Sequence, residues 1–296
     1  MELRTYTLDV FTESLFGGNP LAVVFGGEAL DSRQMQLIAR EFNLSETVFV
    51  LPATRPDCLH RVRIFTPTKE LPFAGHPTVG TACLLAELHL APSDQAFLLE
   101  ENVGPVPVRV RREPDRALYA ELTTAKLPEF GPPPPDAAAL ASLLGLQAED
   151  IGRPGEAPRA VSCGVPFLLV PLRAPELLAA IEVDSARCKA VLGGYWAQEL
   201  FVYAHGYEGE LRARMFAPNL GIAEDPATGS AAAALAGALG QEAGGEGRLD
   251  WTLHQGVEMG RPSQLQLSVD RRGGQVSAIR VGGHAIRVSE GLLRLP

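Results

Sequence analysis

"PFAGHPTVGTA", Pro72–Ala82, decides how the rest of this chain is read. It follows a strand-like segment, turns on a glycine that carries one polar side chain beside it, and runs into small apolar residues suited to a helix. An echo stands far downstream in "AEDPATGSAAAA", Ala223–Ala234. Both stretches follow near-copies of one phrase, "RIFTP" at Arg63–Pro67 and "RMFAP" at Arg214–Pro218. The pattern predicts a strand, a glycine turn and a helix, built twice.

A helix start leaves its first N–H groups without partners and carries the positive end of the helix dipole. Gly75–His76 precedes Pro77, whose fixed φ suits the first helical position. Gly229–Ser230 precedes an alanine-rich run of high helix propensity. Glycine lets the backbone approach a ligand, and the N–H groups can hold a carboxylate or another oxyanion. Either turn alone reads equally well as a plain helix cap. Two in matching places predict the halves of one anion-binding pocket. Neither is a phosphate loop of the G-x-x-x-x-G-K-[ST] or G-x-G-x-x-G type.

Outward from these stretches, short β-branched runs alternate with a few helices. "RTYTLDVFT" (Arg4–Thr12) and "PLAVVFGG" (Pro20–Gly27) read as strands. Asp31–Asn43 reads as a helix with Asp31 as N-cap and with Met35, Ile38, Ala39 and Phe42 on one face. "ETVFVLP" and "LHRVRIFTP" are strand-like, and "TVGTACLLAELHL" sets Val79, Cys83, Ala86 and Leu90 on one helical stripe. Four prolines in "GPPPPDAA" (Gly131–Ala138) fit neither a helix nor a sheet and mark a linker. The second half then repeats the plan. The expected architecture is α+β in two similar domains, 1–125 and 126–296, with the last strand able to return to the first. The glycine turns are expected to line the cleft between them.

Bulk properties narrow the function. With 296 residues, 46% hydrophobic and 21% charged, the chain can bury a substantial core. A net charge of −9 and a pI near 5.2 argue against nucleic acid or an anionic membrane as partner. The start "MELRTYTLDVF" has no basic segment ahead of an apolar core. Cys58, Cys83, Cys163 and Cys188 are widely spaced, without C-x-x-C, so a reduced, cytoplasmic setting is expected. The six histidines show no H-E-x-x-H and no clustering with cysteine, and no metal is expected.

Three titratable residues stand out. Glu46 lies where a helix ends and the apolar run Val48–Leu51 begins, surroundings that suit a general base, although a surface glutamate at a strand start fits the same pattern. Asp225 precedes Gly229 in a segment that must fold back, where an Asx-turn ahead of Pro226 is the plain alternative. His76 can donate to a substrate or relay a proton, or be a satisfied structural group.

At these residues the chain resembles the phenazine-biosynthesis isomerase (PhzF-like) family, built on the diaminopimelate-epimerase fold. "GNPLAVVF", "MQLIAREFNLSETVFV", "RIFTPTKELPFAGHPTVGTA", "EDPATGSAAAAL" and "QGVEMGRPSQLQL" occur in family order across essentially the whole chain. The resemblance implies two pseudo-symmetric halves, each a curved, mostly antiparallel sheet around a central helix. It implies Glu46 as catalytic acid/base. Gly75 and His76, with Gly229 and Ser230, would form the substrate-carboxylate site, and Asp225 would position substrate or shuttle the proton. The epimerase relatives use one cysteine per half, whereas neither turn here has one, which speaks against a two-thiol racemase. The implied chemistry is cofactor-free: a carboxylate removes a C–H proton and returns it elsewhere, moving a double bond on a small carboxylic acid. A homodimer is expected. Phenazine-pathway members act on dihydro-hydroxyanthranilate. Another proton transfer on the same fold, such as epimerisation or racemisation, and a non-enzymatic carboxylate-binding protein stay open as alternatives.

Overall fold

The computed structural model describes residues 1–295. The chain divides into two compact units, Met1–Ala125 with Arg280–Pro296, and Lys126–Ile279. The first contains β1 (Glu2–Val10), β2 (Asn19–Phe25), α1 (Ser32–Phe42), β3 (Glu46–Pro52), β4 (His60–Phe65), β5 (Glu70–Leu71), α2 (Gly75–Glu87), β6 (Ala96–Glu101), β7 (Gly104–Arg111) and β8 (Leu118–Thr123). The second contains β9 (Glu129–Phe130), α3 (Ala137–Leu144), β10 (Arg159–Ser162), β11 (Pro166–Pro171), α4 (Ser185–Leu192), β12 (Glu199–His205), β13 (Leu211–Ala217), β14 (Ile222–Asp225), α5 (Gly229–Glu242), β15 (Gly247–Gln255) and β16 (Ser263–Arg272). The long β17 (Gln275–Arg294) starts in the second unit and continues in the first. Mixed sheets with few helices make the fold α+β.

In the first unit the strands pair in a ring: β1 with β2, β2 with β3, β3 with β4, β4 with β6, β6 with β7, β7 with β8, β8 with β17, and β17 with β1. The β2–β3 and β4–β6 pairs are parallel and the others antiparallel. Closure removes free sheet edges. The ring wraps α2, which is buried at every position from Gly75 to Ala86. Gly80 lets the helix press on the wall, because a Cβ there would stand 2.6 Å from Val10 Cγ2 and 2.7 Å from Leu21 Cδ2. Two expectations are corrected here. The single apolar stripe gives way to burial on all faces, with Leu90 beyond the helix end and exposed. Pro77 is the third helical residue, not the first, since the helix begins at Gly75 after the N-cap Ala74. Proline is tolerated there because the first turn needs no N–H donors of its own.

Outside the ring, α1 is capped at Asp31, whose side chain accepts from Gln34 N at 2.7 Å, and it ends on left-handed Asn43. Its Met35, Ile38 and Ala39 pack with Leu3, Val24, Phe49 and Phe65, and Phe42 joins from the edge. In the second unit the strands pair in the order β9-β10-β11-β12-β13-β15-β16, with β14 against β13. α5 lies against β10, β11, β15 and β16. Alanine and glycine on its buried faces let these strands come close. Side-chain caps from Asp136 and Asp184 start α3 and α4.

The duplicated R-x-F phrase does the same work in each unit. Arg63 forks onto Glu70 at 2.8 and 2.7 Å and stacks over Phe65 at 5.1 Å. Arg214 forks onto Glu224 at 2.8 and 2.7 Å and stacks over Phe216 at 4.9 Å. Each bidentate pair ties a strand to the return segment that leads into the glycine turn. Among the described residues, no helix is long and apolar enough to cross a membrane.

Candidate active site

Glu46 is the first residue of β3, in register with Leu21 of β2. His76 is the second residue of α2. The β2–β3 pair and the enclosed helix bring them together: Glu46 Oε2 lies 3.4 Å from His76 Nε2, with side chains 14% and 5% exposed. Burial lowers the His76 pKa to about 3, against the raising pull of a hydrogen bond to the Pro20 carbonyl. The ring is therefore neutral near pH 7. A neutral imidazole has one N–H, and Pro20 can only accept, so the ring spends its proton on Pro20 and turns the Nε2 lone pair toward Glu46. When Glu46 holds a proton, its carboxyl can donate a hydrogen bond to that lone pair.

The start of α2 is arranged to offer donors. Ala74, the N-cap, has an extended backbone and no side-chain cap. Pro77 has no N–H, and the Thr78 N–H bonds the Ala74 carbonyl at 3.3 Å. Gly75 and His76 are left as the N–H groups that head the helix. Both have ordinary backbone angles, so glycine at position 75 is not required by a left-handed turn.

In the second unit, Gly229 and Ser230 open α5 without a side-chain cap at Thr228. Asp225 closes β14, and Thr228 Oγ1 donates to its Oδ2 at 2.5 Å. Gln255, fully buried at the end of β15, completes the turn. It accepts from Thr228 N at 3.1 Å and places its Nε2 2.7 Å from the Asp225 carbonyl and 3.0 Å from Thr228 Oγ1. Gly256 (φ +72) seats this residue, since a Cβ there would meet the Arg261 and Pro226 carbonyls at 2.5 and 2.6 Å. The roles of Thr228 and Gln255 escaped sequence reasoning. The available signal was position, one ahead of Gly229 and first in the "QGVEMGRPSQLQL" motif.

Gln255→Ala should lower the stability of the second unit by about 2–4 kcal/mol, because it removes the side-chain acceptor of the buried Thr228 N–H and the amide donor to the Asp225 carbonyl. Chemical denaturation measures this. A loss below roughly 0.5 kcal/mol, the size of an ordinary surface change, would mean that Gln255 does not hold the turn.

Among the described residues, no group of three or more His, Cys, Asp or Glu is placed to share a metal ion.

A family model described as phenazine biosynthesis-like protein matches residues 8–291. The chain is 44% identical over 301 residues to an uncharacterized isomerase of Mesorhizobium japonicum, covering 99% of both chains. It is 34% identical over 306 residues to trans-2,3-dihydro-3-hydroxyanthranilate isomerase of Pseudomonas aeruginosa, covering 97% of this chain and 98% of that one. Among solved structures, a predicted epimerase from Pseudomonas aeruginosa superposes with a TM-score of 0.82 at 36% identity, covering 99% of both.

Proposed function

The chain belongs to the phenazine biosynthesis-like family and is an isomerase, and we propose that it shifts a proton and a double bond within a small carboxylic acid, with Glu46 as acid and base. The observation that carries this reading is the pairing of partly buried Glu46 with buried His76 at 3.4 Å, beside a helix start without a side-chain cap. A carboxylate has no use in a site that only binds carboxylates, and a base does.

In the proposed step, Glu46 takes a proton from a carbon next to the substrate's double bond. The C–H electron pair becomes a new C=C bond, and the old π pair takes the proton back at its far carbon. His76 acts as the neutral acceptor that orients Glu46 while it holds the proton. The Gly75 and His76 N–H groups bind the substrate carboxylate. Asp225, Gly229 and Ser230 are proposed to serve the same substrate, with Asp225 positioning it or shuttling the proton. No cofactor takes part in this scheme. The compound named for the Pseudomonas aeruginosa relative, trans-2,3-dihydro-3-hydroxyanthranilate, has the required carboxylate, double bonds and labile C–H, and is the first substrate to try. Epimerisation by the same base is the second reading, favoured by the likeness to the predicted epimerase.

The test is proton exchange in heavy water followed by NMR, on that compound and a panel of small unsaturated carboxylic acids. Isomerised product, or exchange at a substrate carbon, is expected after exhaustive dialysis against chelator. Protein that leaves every acid unchanged and unexchanged would refute the reading.

A further inference from the structure

Glu101 ends β6 at the hairpin into β7 and is buried, 4% exposed. Its Oε1 lies 2.6 Å from Thr78 Oγ1, and that hydroxyl lies 2.7 Å from the Ala74 carbonyl. A hydroxyl has one proton, a carbonyl has none, and a carboxylate has none. The Thr78 proton thus faces two acceptors, Glu101 Oε1 and the Ala74 carbonyl, and an ionised Glu101 would leave them to share it. With Glu101 as the neutral acid, the carboxyl donates to Thr78, Thr78 donates to Ala74, and both contacts are full hydrogen bonds. The other oxygen, Oε2, is buried without a hydrogen-bond partner, which a neutral carboxyl tolerates and a full charge does not.

We propose that Glu101 is a positioning residue held as the neutral acid, fixing the first turn of α2 through Thr78 and Ala74 and leaving the positive end of the helix uncompensated for the substrate's carboxylate. This rests on the reading of α2 as the carboxylate site. An ionised Glu101 beside the first turn would occupy that field itself and repel the ligand.

Burial pushes the Glu101 carboxyl up to about 8, against the lowering pull that Thr78 exerts when its hydroxyl turns to the ionised carboxylate. The elements around it do carry titratable groups: His76 and Glu87 on α2, His60, Arg61 and Arg63 on β4, Arg109 and Arg111 on β7. None of these contributes to the shift. The acid is therefore neutral below its midpoint and charged above it, and carboxylate binding is lost as pH rises.

The test uses the full chain without ligand, labelled with ¹³C at glutamate carboxyls, the Glu101 signal being assigned by its loss in Glu101→Gln. Expected are a protonated Glu101 near neutrality, a midpoint at about 8, and Gly75 and His76 amide protons that shift with that midpoint in wild type and not in Glu101→Gln. For trans-2,3-dihydro-3-hydroxyanthranilate, KM should rise about tenfold between about pH 7 and 9, the fall in the competent fraction, and the rise should vanish in Glu101→Gln. A Glu101 already ionised near neutrality, or helix-start amides indifferent to its titration, overturns the inference. Failure to turn over that acid or any other counts against the proposed function alone, since the ligand-free titration decides the state of Glu101 by itself.

Discussion

Glu46→Gln is expected to lower turnover by about 10²–10⁴, the usual contribution of a positioned acid/base, and to leave folding intact. The substitution keeps the length and planarity of the side chain at the start of β3. Its amide can donate to the His76 Nε2 lone pair at the place where the carboxyl stands 3.4 Å away, so the contact between the two side chains is kept. What disappears is the ability to take and return a proton. Glu46→Asp separates chemistry from placement: it keeps the carboxylate and draws it back by one methylene. Misplacement by about 1 Å costs on the order of 10²-fold in a site that works by orientation. The graded order, wild type above Asp and Asp above Gln, identifies a base that must reach a carbon. Steady-state kinetics with thermal unfolding in parallel measures both sides, and Glu46→Gln retaining more than about a tenth of turnover would end the assignment.

Local rules made much of the fold legible. Asp31 before an apolar face predicted the capped helix α1, and the glycine turns marked α2 and α5, although each helix starts on the glycine itself rather than after the turn. Those signals depend on neighbours in sequence. Packing is where the reading failed. A helix enclosed by a ring of strands needs no polar face, so the stripe drawn through Val79, Cys83, Ala86 and Leu90 described a helix half in water rather than α2. The repeated R-x-F phrase was visible, but its partners were not. Glu70 and Glu224 come at different spacings from Arg63 and Arg214, and only the strand pairing brings each pair together. Of the site residues, Glu46, His76 and Asp225 could be picked out because they flank turns. Glu101 and Gln255 could not. A glutamate at a hairpin and a glutamine at a strand end are ordinary surface choices in sequence, and only burial against Thr78 or Thr228 gives them a role.

Placing an aspartate at the N-cap of α2 should weaken substrate binding strongly while leaving the protein folded. α1, α3 and α4 are each capped by an aspartate, with carboxylates accepting from Gln34, Ala139 and Arg187 N–H at 2.7, 2.8 and 2.9 Å. α2 has Ala74 at that position, in the extended conformation that a capping residue adopts. Pro77 removes the third N–H, so Ala74→Asp would reach the His76 N–H and hold it within the chain. An added cap contributes about 0.5–2 kcal/mol to helix stability, partly offset here by burying a charge at a position only 8% exposed. The substrate carboxylate would lose one charge-assisted hydrogen bond and meet a like charge. At about 1.5–3 kcal/mol this is a 10- to 100-fold rise in KM. Ala74→Asn caps the same N–H without charge and should fall between wild type and Asp. If α2 were an ordinary helix whose start binds nothing, Ala74→Asp would bring only the stability change, and an unaltered KM alongside an unfolding temperature at or above wild type would establish that.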